Sequence, residues 1–409
     1  MHAKNNSNTT LKRVISLPLL VFYGLGNILG AGIYVLIGKI AGVSGVYMPL
    51  SFLIACIVIF FTAISYAELS ARYPVSAGEA VYIYEGFGSW KLSVVVGLAI
   101  ALSGMLSSAT IIHGFYGYFS TFLDIPEFLI STFLIVSLAL VAIWGIGESV
   151  KAAALFTILE VFGLLLVIYV AAPHVSFDMQ SFQKMVPPVD LVIFNSIILG
   201  AFLAFYAFIG FEDMVNIAQE VKNPVKTMPK AIIIVLIIAT MLYITIAWVS
   251  ISVVSVDALS STSAPLAMVY EKATGDKAVV LSMIGMFAVI NGALIQIIMV
   301  SRILYGMSTK GWVPKFLGVV NAKTATPINA TMVTAVTILI LTLLLPLLTL
   351  AQSTSFLIFI VFTLVNLALI KIKLKNPNPK DVKTYPIWMP VIAIVLNISM
   401  LGFQIFSLF

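Results

Sequence analysis

Gly24-Leu25-Gly26-Asn27-Ile28-Leu29-Gly30-Ala31-Gly32-Ile33 lies inside an apolar run from about Val14 to Ala41, and its reading decides the fold. Each glycine in a helix interior costs roughly 0.5 to 1 kcal/mol relative to alanine. Four glycines so close together predict a loss of helical hydrogen bonding near Gly30, Ala31 and Gly32. Lipid cannot satisfy the freed N–H and C=O groups, so irregular backbone at membrane depth survives only against protein or a polar cavity. The stretch is therefore a candidate binding site. A second reading has Gly26 and Gly30, one helical turn apart, simply letting another helix approach.

The surrounding composition places the run in a membrane. The chain is 61% apolar and 9% charged, with mean hydropathy +1.13, which describes an integral membrane protein. No small-residue cleavage site follows the first apolar run, so that run is expected to be retained. The single Cys56 excludes a disulfide framework and a thiol metal cluster. The net charge of +6 does not indicate a nucleic-acid partner, because the charges fall between apolar spans.

Runs long enough to cross a core of about 30 Å occur near 14–41, 44–70, 91–121, 127–146, 150–171, 191–218, 230–255, 278–308, 328–347, 352–373 and 385–408, here spans 1 to 11. With the N-terminus inside, only Lys39, Lys184, Lys272 and Lys277 of the 22 basic residues fall in outer segments. That asymmetry predicts a multi-pass protein of the cell membrane with a cytoplasmic N-terminus. The expected organisation is a polar tail at 1–13, five spans over 14–171, an outer loop at 172–190, five spans over 191–373, and a cytoplasmic loop and extra helix over 374–409. An odd number of spans per unit inverts the second unit relative to the first, a transporter signature. Span 6 carries the matching interruption, Tyr206-Ala207-Phe208-Ile209-Gly210-Phe211-Glu212-Asp213, with Gly210 in the place that Gly30 holds in span 1.

Gly26 to Ile33, Gly210-Phe211-Glu212-Asp213 leading to Glu220-Val221-Lys222-Asn223-Pro224, Tyr73-Pro74 with Gly78-Glu79, and Arg302 to Met307 with Gly311-Trp312-Val313-Pro314 together resemble the amino acid-polyamine-organocation permeases, including their bacterial cationic amino acid transporter-like members. The resemblance covers residues 14 to about 375. It implies an all-α, five-plus-five inverted-repeat transporter with discontinuous helices in spans 1 and 6 and an amino-acid substrate between them. Members commonly have twelve helices, against eleven spans here.

On that reading the N–H groups of Gly30, Ala31, Gly32 and Ile33 face a substrate carboxylate. Carbonyls around Tyr206, Phe208 and Ile209 face its ammonium. Tyr206 is placed like the aromatic that covers substrate in similar permeases, with core packing as its alternative. Gly104, Ser107 and Ser108 match the region where relatives line the side-chain pocket, or serve helix packing. Asn291 is either a pocket hydrogen-bonder or an interhelical tie. Glu160 falls near the midplane, where an ionised carboxylate is expensive, and is the candidate carrier of a coupling proton; a permanently paired structural role is the alternative. Glu212 and Asp213 either bias the site toward cations or sense pH, or cap local backbone. His113 is expected near the outer surface as an interface residue. No cofactor beyond the coupling proton and no metal is expected.

The expected function is amino-acid transport by alternating access with proton symport, and amino acid or polyamine exchange is the alternative. The expected partners are a small amino acid and the bilayer, the chain acting as a monomer or homodimer. An intramembrane enzyme would need a nucleophile and base or metal ligands at depth, and a channel would need a continuous polar lining. Neither pattern is present in the sequence.

Overall fold

A computed structural model describes residues 13–75, 78–144, 149–175, 186–321, 324 and 326–407. Among these the chain is helical, apart from one isolated backbone bridge between Ile15 and Val221. Span 1 comprises α1 (Leu17–Ile28), α2 (Ala31–Tyr34) and α3 (Ile37–Ser44). The next four spans contain α4 (Met48–Arg72), α6 (Trp90–Phe119), α7 (Glu127–Trp144) and α8 (Ser149–Ala171). The short α5 (Gly78–Phe87) follows α4. Span 6 is α9 (Leu191–Phe205) followed by two 3-10 segments, Tyr206–Phe208 and Glu212–Glu220. After it come α10 (Pro224–Val253), α11 (Val256–Ser261), α12 (Pro265–Thr274), α13 (Val279–Thr309), α14 (Ile328–Leu344), α15 (Leu347–Lys375) and α16 (Trp388–Phe406).

Local chemistry sets several of these ends. Asp190 caps α9 by accepting hydrogen bonds from Val192 N–H at 2.7 Å and Ile193 N–H at 3.3 Å. Ser89 caps α6 by accepting from Leu92 N–H at 3.3 Å. Prolines occupy the first turns of α1, α4, α10 and α12, where a missing N–H does no harm. Among the described residues eight stretches are long and apolar enough to cross a membrane, and Leu17–Ile28, Glu127–Ile143 and Ile328–Leu344 are shorter apolar helices.

The packing shows the internal repeat. Exchanging spans 1–5 with 6–10 maps α4 against α10, α6 against α13 and α7 against α14 onto themselves. It maps α1 on α10 onto α9 on α4, α15 on α6 onto α13 on α8, and α1 on α8 onto α9 on α15. A five-span unit therefore occurs twice, and its odd number of crossings inverts the second copy. The last helix, α16, packs on α15 and α4 outside this scheme.

One face of the bundle is basic. There Glu68, buried at the end of α4, accepts hydrogen bonds from Arg72, from Lys373 Nζ at 2.8 Å and from Tyr385 N–H at 2.9 Å. Within the bundle, Asn366 donates to Thr62 at 3.1 Å and accepts from Ser65 at 2.6 Å. On the opposite face α11 lies on α3, where a Cβ on Gly38 would stand 2.3 Å from Leu259 O.

Candidate functional site

Span 1 is interrupted at Leu29 and Gly30, and again at Val35 and Leu36. The break thus begins one residue before the expected one, and Ala31 and Gly32 are already wound into the short α2. Gly32 has a different task. A Cβ on it would lie 2.3 Å from the Ala207 Cα, so it permits contact between the two broken spans. The close approach expected of Gly26 and Gly30 is made instead by Gly32, for a Cβ on Gly30 would meet only Ala288 O, at 4.0 Å.

Span 6 unwinds in register with this contact. Ile209 is extended, and Gly210 has φ +123°, a conformation L side chains rarely adopt. A Cβ on Gly210 would also stand 2.7 Å from Asn27 O. Glu212 turns back and accepts the Gly210 N–H at 2.8 Å. Tyr243 of α10 ties the breaks together, its buried hydroxyl lying 2.6 Å from Ile28 O and 2.7 Å from Ala207 O and sharing one proton between them.

Between the breaks lies a cavity of about 20 Å³ lined by Asn27, Ile28, Gly30, Gly32, Ser107, Ile111, Tyr206, Ile209, Gly292 and Gln296. That is room on the scale of a water molecule, so the site is contracted in this conformation. A second cavity of about 10 Å³ shares Ser107, Ile209 and Gln296 with the first and adds Gly104, Glu212 and Asp213. Gln296 stands between the two and donates to Asp213 at 3.2 Å.

The anticipated residues divide accordingly. Gly30, Gly32, Ser107, Tyr206 and Ile209 line the central cavity, and the Tyr206 hydroxyl meets Ser107 Oγ at 3.0 Å across it. The Tyr206 carbonyl accepts the Ile209 N–H at 3.2 Å, which removes it from the set of free acceptors. Phe208 points away and packs edge-on to Tyr243, with ring centroids 5.1 Å apart. Ile33 is fully buried outside the cavity lining, and the side chain of Ala31 lies outside the described set. Gly104 lines the second cavity, and a Cβ there would stand 2.8 Å from Gln296 Oε1. Ser108 contacts Ala293 O at 3.5 Å and lines neither cavity.

Glu160 is buried between α8, α2 and α13. Its backbone carbonyl accepts the Tyr34 hydroxyl at 2.6 Å, its carboxyl accepts no hydrogen bond from a described residue, and Asn291 faces it across the gap with its own amide nitrogen unpartnered. Asn291 therefore belongs to the Glu160 environment and not to the central cavity. His113 joins Glu127 at 2.5 Å and Leu345 O at 3.1 Å, tying α6 to the start of α7 and the end of α14. Asn27, Ile111, Tyr243 and Gln296 escape the sequence reading, since each sits on a different element and only tertiary packing assembles them.

Broken spans 1 and 6 meeting inside a duplicated, inverted helix bundle define a multi-pass membrane transporter fold. The crystal structure of MhsT in complex with L-phenylalanine has this fold, with TM-score 0.67, 12% identity, and 96% of this chain and 99% of that one covered. The amino acid permease family model matches residues 15–409, and the chain belongs to that family. It is 29% identical over 404 residues to the branched-chain amino acid permease BcaP of Bacillus subtilis, covering 92% of this chain and 84% of that one. It is also 29% identical over 394 residues to the mitochondrial cationic amino acid transporter 3 of Arabidopsis thaliana, covering 90% of this chain and spanning 63% of that one's length.

Proposed function

We propose that the chain carries neutral amino acids across the cell membrane by alternating access, with residues 14–171 and 191–373 as its two five-helix units and its basic face toward the cytoplasm. The observation that carries this reading is the contact of the two breaks, Gly32 against Ala207 and Gly210 against Asn27, beside a common cavity. The N–H groups from Gly30 to Ile33 open a helical turn and suit a carboxylate, and the carbonyls of Phe208 and Ile209 suit an ammonium. The substrate side chain then meets Ile28, Ile111, Ile209 and Gly292, with no ionisable acid or base in the lining except the Tyr206 phenol. A lining that carries no charged side chain favours a neutral substrate side chain. Glu160 supplies the coupling proton, since its carboxyl, facing Asn291 beside α2, feels any movement of that turn.

A second reading, exchange of cationic amino acids or polyamines, draws on Glu212 and Asp213 in the adjoining cavity. A thermal-shift screen of the purified protein against twenty amino acids and common polyamines separates the two. Stabilisation by branched or aromatic amino acids, followed by their uptake into proteoliposomes, is the expected result. Stabilisation by lysine or polyamines alone supports the exchanger, and no stabilisation by any ligand overturns both.

A further inference from the structure

The joint between α5 and span 6 holds a second set of ionisable side chains, apart from Glu160. Glu79, 3% exposed, stands on the first turn of α5. A Cβ on Gly78 would lie 2.4 Å from Val215 Cγ2, so α5 begins in contact with the segment Glu212–Glu220. The groups facing Glu79 are Tyr66 from α4, Tyr82 from α5, and Glu212 and Asp213 from span 6. Beyond Asp213 lies Tyr23 of α1, which also faces Arg302 and Glu220. Among the described residues, Glu79 Oε1, the Tyr66 and Tyr82 hydroxyls and Gln296 Oε1, all buried around this joint, have no hydrogen-bond partner. Among the described residues no lysine, arginine or histidine forms an ion pair with Glu79, Glu212 or Asp213.

Three carboxyls in a dry joint without a counter-cation are too costly to hold ionised together. Burial pushes Glu79 up to about 8, and the neighbouring Asp213 adds to the rise. The joint is also placed to open. The cytoplasmic halves of spans 1 and 6 are stitched together where Ile15 N–H donates to Glu220 O at 3.0 Å and Lys222 N–H to Ile15 O at 2.9 Å. By contrast α5 is fixed to α15, where a Cβ on Gly86 would stand 2.7 Å from Ala368 Cα. Parting the stitched pair from α5 admits water to the acids.

We propose that Glu79, together with Glu212 and Asp213, forms a proton-binding site on the cytoplasmic side, loaded while α5 and span 6 are joined and emptied into the inner solution when they part. The inference rests on the transporter reading but not on Glu160 or on the substrate. The linkage sign follows from a folded-state value for Glu79 above its ordinary 4.5. Its stabilising contribution is complete below that ordinary value and is lost as pH rises through about 8. The purified wild type is therefore expected to lose melting temperature between about pH 5 and about pH 8 and to level off above that. Glu79→Gln should flatten that slope and Glu79→Asp should restore part of it. Equal slopes in wild type and Glu79→Gln overturn the proposal. Infrared difference spectra from about pH 6 to about pH 10, taken in Glu160→Gln, decide the matter even if Glu79→Gln does not fold. A protonated-carboxyl band lost on raising the pH supports the site, and its absence overturns it. Neither readout uses transport, so failure of the amino-acid reading shows separately in the ligand screen.

Discussion

Gly32→Ala tests the contact on which the site depends. The added Cβ would stand 2.3 Å from Ala207 Cα and 2.6 Å from Ala207 Cβ. Carbon atoms pack at about 3.5 Å or more, so the breaks must separate by about 1.2 Å or absorb the overlap. Separation by that amount stretches the bonds from Tyr243 to Ile28 O and Ala207 O, now 2.6 and 2.7 Å, beyond hydrogen-bonding range. A buried carbonyl left unmet costs about 1 to 3 kcal/mol, and absorbing the overlap costs a similar 1 to 3 kcal/mol, roughly, in strain. Either route predicts a lower melting temperature and about a fivefold to hundredfold loss of initial uptake rate in proteoliposomes, taking about 1.4 kcal/mol per decade. Gly306→Ala is the control, because nothing lies within 4 Å of its added Cβ. Gly30→Ala separates binding from folding: its Cβ meets only Ala288 O, at 4.0 Å, and points into the lining, so stability should hold while substrate KM rises. Wild-type uptake and stability in Gly32→Ala would refute the reasoning.

Three further outcomes are expected. Tyr206→Phe removes the 3.0 Å contact with Ser107 and should raise KM about fivefold, the scale of one hydrogen bond, whereas Tyr206→Ala should weaken uptake much further; an unchanged KM in Tyr206→Phe would place the hydroxyl outside the site. Glu160→Gln should abolish proton-driven uptake while keeping substrate exchange, and an unchanged pH dependence of uptake would remove Glu160 from coupling. Glu68→Gln leaves Lys373 buried without its counter-charge and should destabilise the protein by about 3 kcal/mol or more in thermal or denaturant unfolding, with no change in the KM of the folded fraction.

The paired breaks are legible because glycine is the one residue whose local preference survives in an apolar run, and Gly30 and Gly210 occur at matching places in two similar five-span units. The first break lies one residue from its expected start because sequence cannot say which glycine unwinds and which makes room. Gly32 answers to Ala207 in the other half of the chain, and no local rule contains that contact. Asn291 and Gln296 illustrate the same limit. Both are polar residues on α13, yet one faces Glu160 and the other divides two cavities. Glu79 is visible within a motif but has no role until α5 brings it against span 6.

The contacts also decide which pieces can move together. The halves of spans 1 and 6 before α1 and after Glu212 share the Ile15–Val221 bridge, while their other halves, α3 and α9, meet where a Cβ on Gly200 would lie 2.7 Å from Ser44 Cβ. Each break therefore joins one rigid pair to the other, and the two breaks form a single line of bending. If the pair joined by that bridge swings as one body, a covalent link within it should be harmless and a link from it to α5 should stop the cycle. In a Cys56→Ala background, Ile15→Cys with Val221→Cys tests the first link and Gly78→Cys with Val215→Cys the second, both pairs being close enough for a disulfide. Oxidation should leave uptake intact in the first and abolish it reversibly in the second, with reductant restoring it. Arrest by the Ile15–Val221 link, or continued transport with α5 locked to Val215, would show that the halves hinge elsewhere.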